Sequence, residues 1–148
     1  MPELTASPFS PITLPEARYM LDWLLPLLKL NDWTIALTLD GPPPLDPDDD
    51  PTELLCGLLK TDRTRKTASL WISNENTRSK DEDSYSTIAH EIVGHLLLLD
   101  VLGDIPPSDA LECNFNVLGD LVAAYYRTTL IPREKPLSRP ATPHPCRA

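Results

Sequence analysis

The stretch TIAHEIVGHLLLLD, Thr87 to Asp100, holds two of the chain's three histidines inside an otherwise apolar run. Each residue of an α-helix turns about 100°, so side chains four apart differ by about 40° and side chains five apart by about 140°. His90 and His95 stand five apart, and on a regular helix their imidazoles point away from each other. A π-bulge widens one turn to an i to i+5 pattern and restores a common face, and such bulges recur at functional sites. Gly94, directly before His95, has no Cβ to resist a distorted turn. The stretch therefore predicts either a locally overwide helix with both imidazoles converging, or a regular helix with the two apart.

Working outward, Asp83 or Ser84 can cap a helix over about 84–102 that ends near Gly103. The pair Pro106-Pro107 and then Ser108 restart the chain, and DALECNFNVLGDLVAAYYRTTL continues as a helix over roughly 109–129. Upstream, ELLCGLLKTD and KTASLWIS read as strands joined by a short polar turn, and WTIALTLD alternates Trp33, Ile35, Leu37 and Leu39 with smaller residues at the period of a strand with one buried face. Thr13 with Glu16 matches a capping box and Pro15 suits a first turn, so a first helix over about 14–30 is expected, kinked at Pro26. The expected fold class is α+β: a small antiparallel sheet of about three strands with three helices packed on one face.

The chain has 148 residues, 17 of them proline. Length predicts one domain, over 13–131. Residues 1–12 form an expected irregular arm, and the proline-rich tail 132–148 is expected to be flexible, having few large apolar side chains to offset the entropy of ordering. His144-Pro145-Cys146 belongs to that tail and is read as spare donor types rather than an inhibitory ligand. The run DPDDD lacks the calcium-loop pattern and reads as a solvated acidic loop. A formal net charge of -9 argues against a nucleic-acid partner, whose phosphates demand clustered Lys and Arg. Three cysteines with no Cys-x-x-Cys pair suit a reducing compartment. No basic segment leads into an apolar run and no uninterrupted membrane span is expected, so the localisation implied is cytoplasmic.

Two imidazoles are too few for a zinc site that works on a substrate, which uses three protein ligands and leaves a position for water. Glu112, at the start of the last helix, is the candidate third ligand, with Asp109 and Asp120 in reserve. Asn116 and Asp120 follow Glu112 at intervals of four and are candidates to orient the ligands. Glu91 is then left as general base. Tyr85, Tyr125 and Tyr126 are candidates to steady an oxyanion with a hydroxyl, and Cys113 reads as a small packed side chain. The competing reading makes His90 a hydrogen-bonded core histidine with His95 and Glu91 in solvent, and Glu112 a carboxylate favoured by the positive end of its helix.

At these residues HEIVGH resembles the His-Glu-x-x-Gly-His form of the zincin signature found in the dipeptidyl peptidase III family, gluzincin-like enzymes whose third ligand is a glutamate on the following helix. Leu111-Glu112-Cys113 resembles their second motif and keeps its ligand glutamate and cysteine, while Leu111 and Asn114 replace its first glutamate and its arginine. The likeness covers about ten residues. It implies one zinc per chain held by His90, His95 and Glu112, with Glu91 as base. The order of elements also resembles small phage or prophage-type metallopeptidases, which implies that KTASLWIS borders the cleft and that an extended peptide adds along it. The expected function is zinc-dependent hydrolysis of peptide bonds by a metal-activated water, on a peptide or protein substrate. The alternatives are a zinc-binding module that no longer cleaves and a metal-free acidic interaction protein.

Overall fold

The computed structural model describes residues 11–79, 83–106 and 108–130. The expected arm up to residue 10, the tail with His144, and Pro107 lie outside them. The architecture is α+β. Helix α1 (Leu14–Leu27) leads to strand β1 (Thr34–Leu39). Strands β2 (Gly57–Asp62) and β3 (Thr67–Ile72) form a hairpin followed by a short helix α2 (Asn74–Ser79). Helix α3 (Ser84–Leu102) carries the histidines, and α4 (Asp109–Thr129) ends the described chain.

Helix α1 begins with the expected capping box: Thr13 Oγ1 accepts from the Glu16 amide and Glu16 Oε1 from the Thr13 amide at 2.8 Å. It stops at Leu27, one residue beyond Pro26, short of the expected residue 30. Lys29 turns to φ 61°, and the Leu30 amide reaches back to the Leu25 carbonyl at 2.7 Å, closing the helix in a Schellman-type turn that drops Leu30 into the core.

The sheet is mixed, not antiparallel. Its order is β1-β3-β2, with β2 antiparallel and β1 parallel to β3. The β2–β3 turn is tight, with Lys66 at φ 55°, and a tight hairpin can join only antiparallel neighbours. The long segment between β1 and β2 places no such restraint on β1, and the chain uses it to set β2 one strand away and return β3 into the gap. Alternation tells which face of a strand is buried but not which strand lies beside it.

Ile35, Ala68, Leu70 and Ile72 point to the helical side, where they join Met20, Leu21 and Leu24 of α1 and Ile88, Ile92 and Leu96 of α3 in one core. The acidic loop crosses the other face. Lys60 Nζ binds Asp46 at 2.8 Å and Asp49 at 2.7 Å, and Trp71 Nε1 donates to the Asp40 carbonyl at 3.0 Å. The aspartates read as solvated thus clamp a lysine over the sheet.

Helix α2 was not expected, since NENTRS has no apolar period. Its first residue is a hub. The Asn74 side chain exchanges two hydrogen bonds with the Ile12 backbone, both at 3.1 Å, and accepts from Ser84 Oγ at 2.7 Å. Asp40 receives the Asn74 amide at 2.8 Å and its side-chain NH2 at 3.2 Å. By length and composition α3 is apolar enough to cross a membrane. Ile88, Ala89, Ile92 and Leu96 are fully buried in the protein, and 39% of the apolar window of the helix is buried within the fold.

Candidate metal centre

Helix α3 is capped by Asp83, which accepts from the Tyr85 amide at 2.9 Å, and is closed by Gly103 at φ 85°. Between its α-helical ends, His90–Leu96 is π-helical. The extra residue is absorbed there, and the imidazole centroids of His90 and His95 stand 5.1 Å apart.

Glu112, delivered by the first turn of α4, spans the two imidazoles. Its Oε1 lies 3.1 Å from His90 Nε2 and its Oε2 lies 3.0 Å from His95 Nε2. Zinc bonds of about 2.0–2.1 Å at tetrahedral angles separate neighbouring ligand atoms by about 3.3 Å. Each Glu112 oxygen faces one imidazole at a spacing near that edge. Two imidazoles and a carboxylate are donor types that a divalent transition metal such as zinc accepts.

A second carboxylate competes for the role of ligand. Donor atoms of His90, Glu91 and His95 all lie within 4.8 Å of one another. Glu112 places one oxygen within 3.1 Å of each Nε2 atom. Glu91 is only 9% exposed, and its carboxyl is pushed up to about 8, by burial first and then by the Glu112 carboxylate. A cation beside it acts in the opposite direction. His95 is held below the ordinary imidazole range, chiefly by burial, with His90 adding to the effect and Glu112 opposing it.

Two glycines permit this assembly. A Cβ on Gly94 would stand 2.4 Å from Phe115 Cγ, and the φ of Gly94 is not left-handed. Space for the Phe115 ring, rather than backbone freedom, is what glycine provides here. That ring meets His95 edge-on at a centroid distance of 4.8 Å and His90 at 5.8 Å. A Cβ on Gly119 would stand 2.9 Å from the Ser86 carbonyl and 3.0 Å from the His90 amide, so α4 lies directly on the backbone that carries the first histidine.

Several expected participants lie elsewhere. Asn116 and Asp120 are exposed and do not line the cleft. Steps of four drift by about 40° each around a helix, whereas the face of α4 turned to α3 runs through Phe115, Gly119, Ala123 and Tyr126, all buried. Asp109 is exposed at the helix start, and Cys113 is exposed rather than packed. Tyr125 and Tyr126 follow Glu112 by more than ten residues, about 20 Å along the helix. Tyr126 packs against Tyr85 at 5.3 Å and Trp23 at 5.2 Å, and Tyr125 stacks on Trp23 at 6.2 Å. Burial pushes the Tyr85 and Tyr126 hydroxyls up to about 12. The three tyrosines belong to an aromatic cluster between α1, α3 and α4, not to the site.

A cleft of about 540 Å³ opens over the histidines. Its strand is β2, not the expected KTASLWIS, because β3 is hydrogen-bonded on both sides in the middle of the sheet while β2 is an edge. A Cβ on Gly57 of β2 would stand 3.4 Å from Glu91 Oε2, which fixes how near that edge runs. Phe115, Gly119 and the β2 edge were missed from the sequence. The first two carried a signal, since Glu112, Phe115, Gly119, Ala123 and Tyr126 follow one another at steps of three or four residues. Another hollow of about 360 Å³, lined by Arg63, Thr64, Lys66 and Asp100, holds none of these groups.

The chain matches no protein-family model, no curated protein and no solved structure. What it can do therefore rests on the geometry of these residues.

Proposed function

We propose that the protein is a zinc-dependent peptidase of the zincin kind, with one ion per chain held by His90, His95 and Glu112. The observation that carries this is the Glu112 carboxylate spanning two histidines across a π-helical turn, with a buried glutamate beside them and an open sheet edge alongside. The chemistry zinc supplies in such a site is polarisation of a carbonyl and acidification of a water. Glu91 takes a proton as the carbonyl is attacked and returns it to the departing amine. The β2 edge offers main-chain groups to an extended peptide, and the cleft shields the bond from solvent.

One observation favours a second reading, a zinc-binding module that does not cleave. Among the described residues the cleft is lined by no tyrosine, lysine or arginine, so no side chain of those types stands by to receive an oxyanion. Elemental analysis and peptide cleavage separate the two. One zinc per chain, lost in His95→Ala and Glu112→Gln, with peptide turnover abolished in Glu91→Gln, is the expected result. Zinc without turnover establishes the second reading, and no zinc in the wild type overturns both.

A further inference from the structure

We propose that the cleft selects cationic peptides, an apolar residue flanked by an ammonium or guanidinium group, and excludes a free carboxylate end. This rests on the peptidase reading and names its substrate class. The walls are apolar where Leu58, Leu98, Ile105 and Leu111 line them, and the charged groups that line the cleft among the described residues are four carboxylates and the two histidines, with no lysine or arginine. Glu91 and Glu112 belong to the metal centre. Glu53 and Asp104 remain, and they stand at opposite ends of β2.

Glu53 precedes Gly57, whose built Cβ would lie 3.4 Å from Glu91 Oε2. Asp104 follows Gly103, whose built Cβ would lie 3.2 Å from Arg63 Nη1, just beyond the Asp62 end of the strand. Arg63 itself donates to the Asp100 carbonyl at 3.2 Å. A six-residue strand spans about 17–20 Å, so a peptide lying along β2 passes one carboxylate on its way in and another on its way out. The Glu53 end attracts a cation and repels an anion, Asp104 does so more weakly because the Arg63 guanidinium beside Gly103 offsets part of its charge, and rejection of the wrong charge adds to selectivity. A chain terminus ending in carboxylate is normally captured by arginine or lysine; none lines this cleft among the described residues, and Arg63 at its rim donates to the Asp100 carbonyl. Cleavage therefore falls away from a free carboxylate end.

The test uses the full chain carrying Glu91→Gln, loaded with zinc, and fluorescence anisotropy with labelled peptides. Three probes are compared: a blocked peptide with Leu-Leu between lysines, the same peptide with glutamates, and a neutral Leu-Leu peptide with a free amino terminus. The lysine peptide is expected to bind at least about tenfold more tightly than the glutamate peptide, as two partly exposed ion pairs allow. That preference is expected to fall to near unity when Glu53→Gln and Asp104→Asn are added. Equal binding of the two charged peptides, or a preference that survives both substitutions, overturns the proposal, as does failure of every peptide to bind. Tighter binding of the lysine peptide than of the free-amine peptide assigns the cation to a side chain, and the reverse assigns it to the chain end. Wild-type protein is assayed in parallel for cleavage. Charge preference without cleavage keeps the selectivity and removes the peptidase reading, whereas cleavage without charge preference does the opposite.

Discussion

Glu91 and Glu112 carry the same functional group in opposite surroundings. Glu91 is almost wholly enclosed, while 45% of the Glu112 side-chain surface is exposed at the cleft mouth. Glu91→Gln keeps the shape and removes the proton acceptor, so zinc content should be unchanged and turnover should fall by about 10²–10⁴-fold. The same carboxyl gives the metal-free protein a pH signature. Its folded value of about 8 lies above the ordinary 4.5, so between those values the folded state holds a proton that the unfolded state has lost. Stability then falls as pH rises through that window. Urea unfolding in chelator from pH 5 to 8 should show Glu91→Gln lacking this slope, a difference on the order of a few kcal/mol. His95, depressed, contributes the opposite slope in both proteins and cancels. Gly94→Ala drives a methyl into the Phe115 ring, and its expected cost is about 1–3 kcal/mol, read from the denaturant midpoint. The meeting of His90, His95 and Glu112 was legible because residue type and spacing carry it. The tyrosines lie away from these residues because reach depends on which way α3 turns Tyr85 and α4 turns Tyr125 and Tyr126, which residue type does not encode.

At the scale of elements, the five-residue spacing with Gly94 left a widened turn and a regular helix both open, and α3 adopts the widened turn. A π-helical segment takes up one residue without rotating the helix beyond it. Deleting Val93 should therefore leave both α-helical ends of α3 in register, bring the histidines to a four-residue spacing, and still give a folded protein that binds zinc. Loss of cooperative unfolding in that variant would mean that the segment's own packing, not its register, holds the helix. Strand order was illegible, since alternation in WTIALTLD and KTASLWIS fixes a buried face and leaves the neighbour open. Helix α2 was illegible for another reason: NENTRS is held by Ser73, whose Oγ accepts from the Asn76 amide at 3.0 Å, and by the Asn74 contacts, not by an apolar stripe.

Across the whole molecule, Asn74 joins Ile12, Asp40 and the start of α3, three segments distant in sequence. Asn74→Leu removes the side-chain bonds, keeps the one from the Asn74 amide to Asp40, and leaves the Ile12 backbone and Ser84 unsatisfied, at an expected cost of about 2–4 kcal/mol in chemical denaturation. The proposed metal centre also reaches across the fold, because α3 carries His90 and His95 and α4 carries Glu112. Zinc at a hundred times its Kd should stabilise the protein by about 2.7 kcal/mol, an effect removed by chelator and absent in Glu112→Gln. Strand order, finally, has a consequence for folding. A nascent chain presents α1 and β1 before any sheet exists for them, since the partner of β1 is β3, the last strand synthesised. The hairpin of β2 and β3 closes a short loop and can form first, whereas β1 must wait for it and then pay a long loop closure. Stalling synthesis before residue 67 would leave the apolar face of β1 to chaperones, and release beyond it would allow the sheet to be completed from its centre outward.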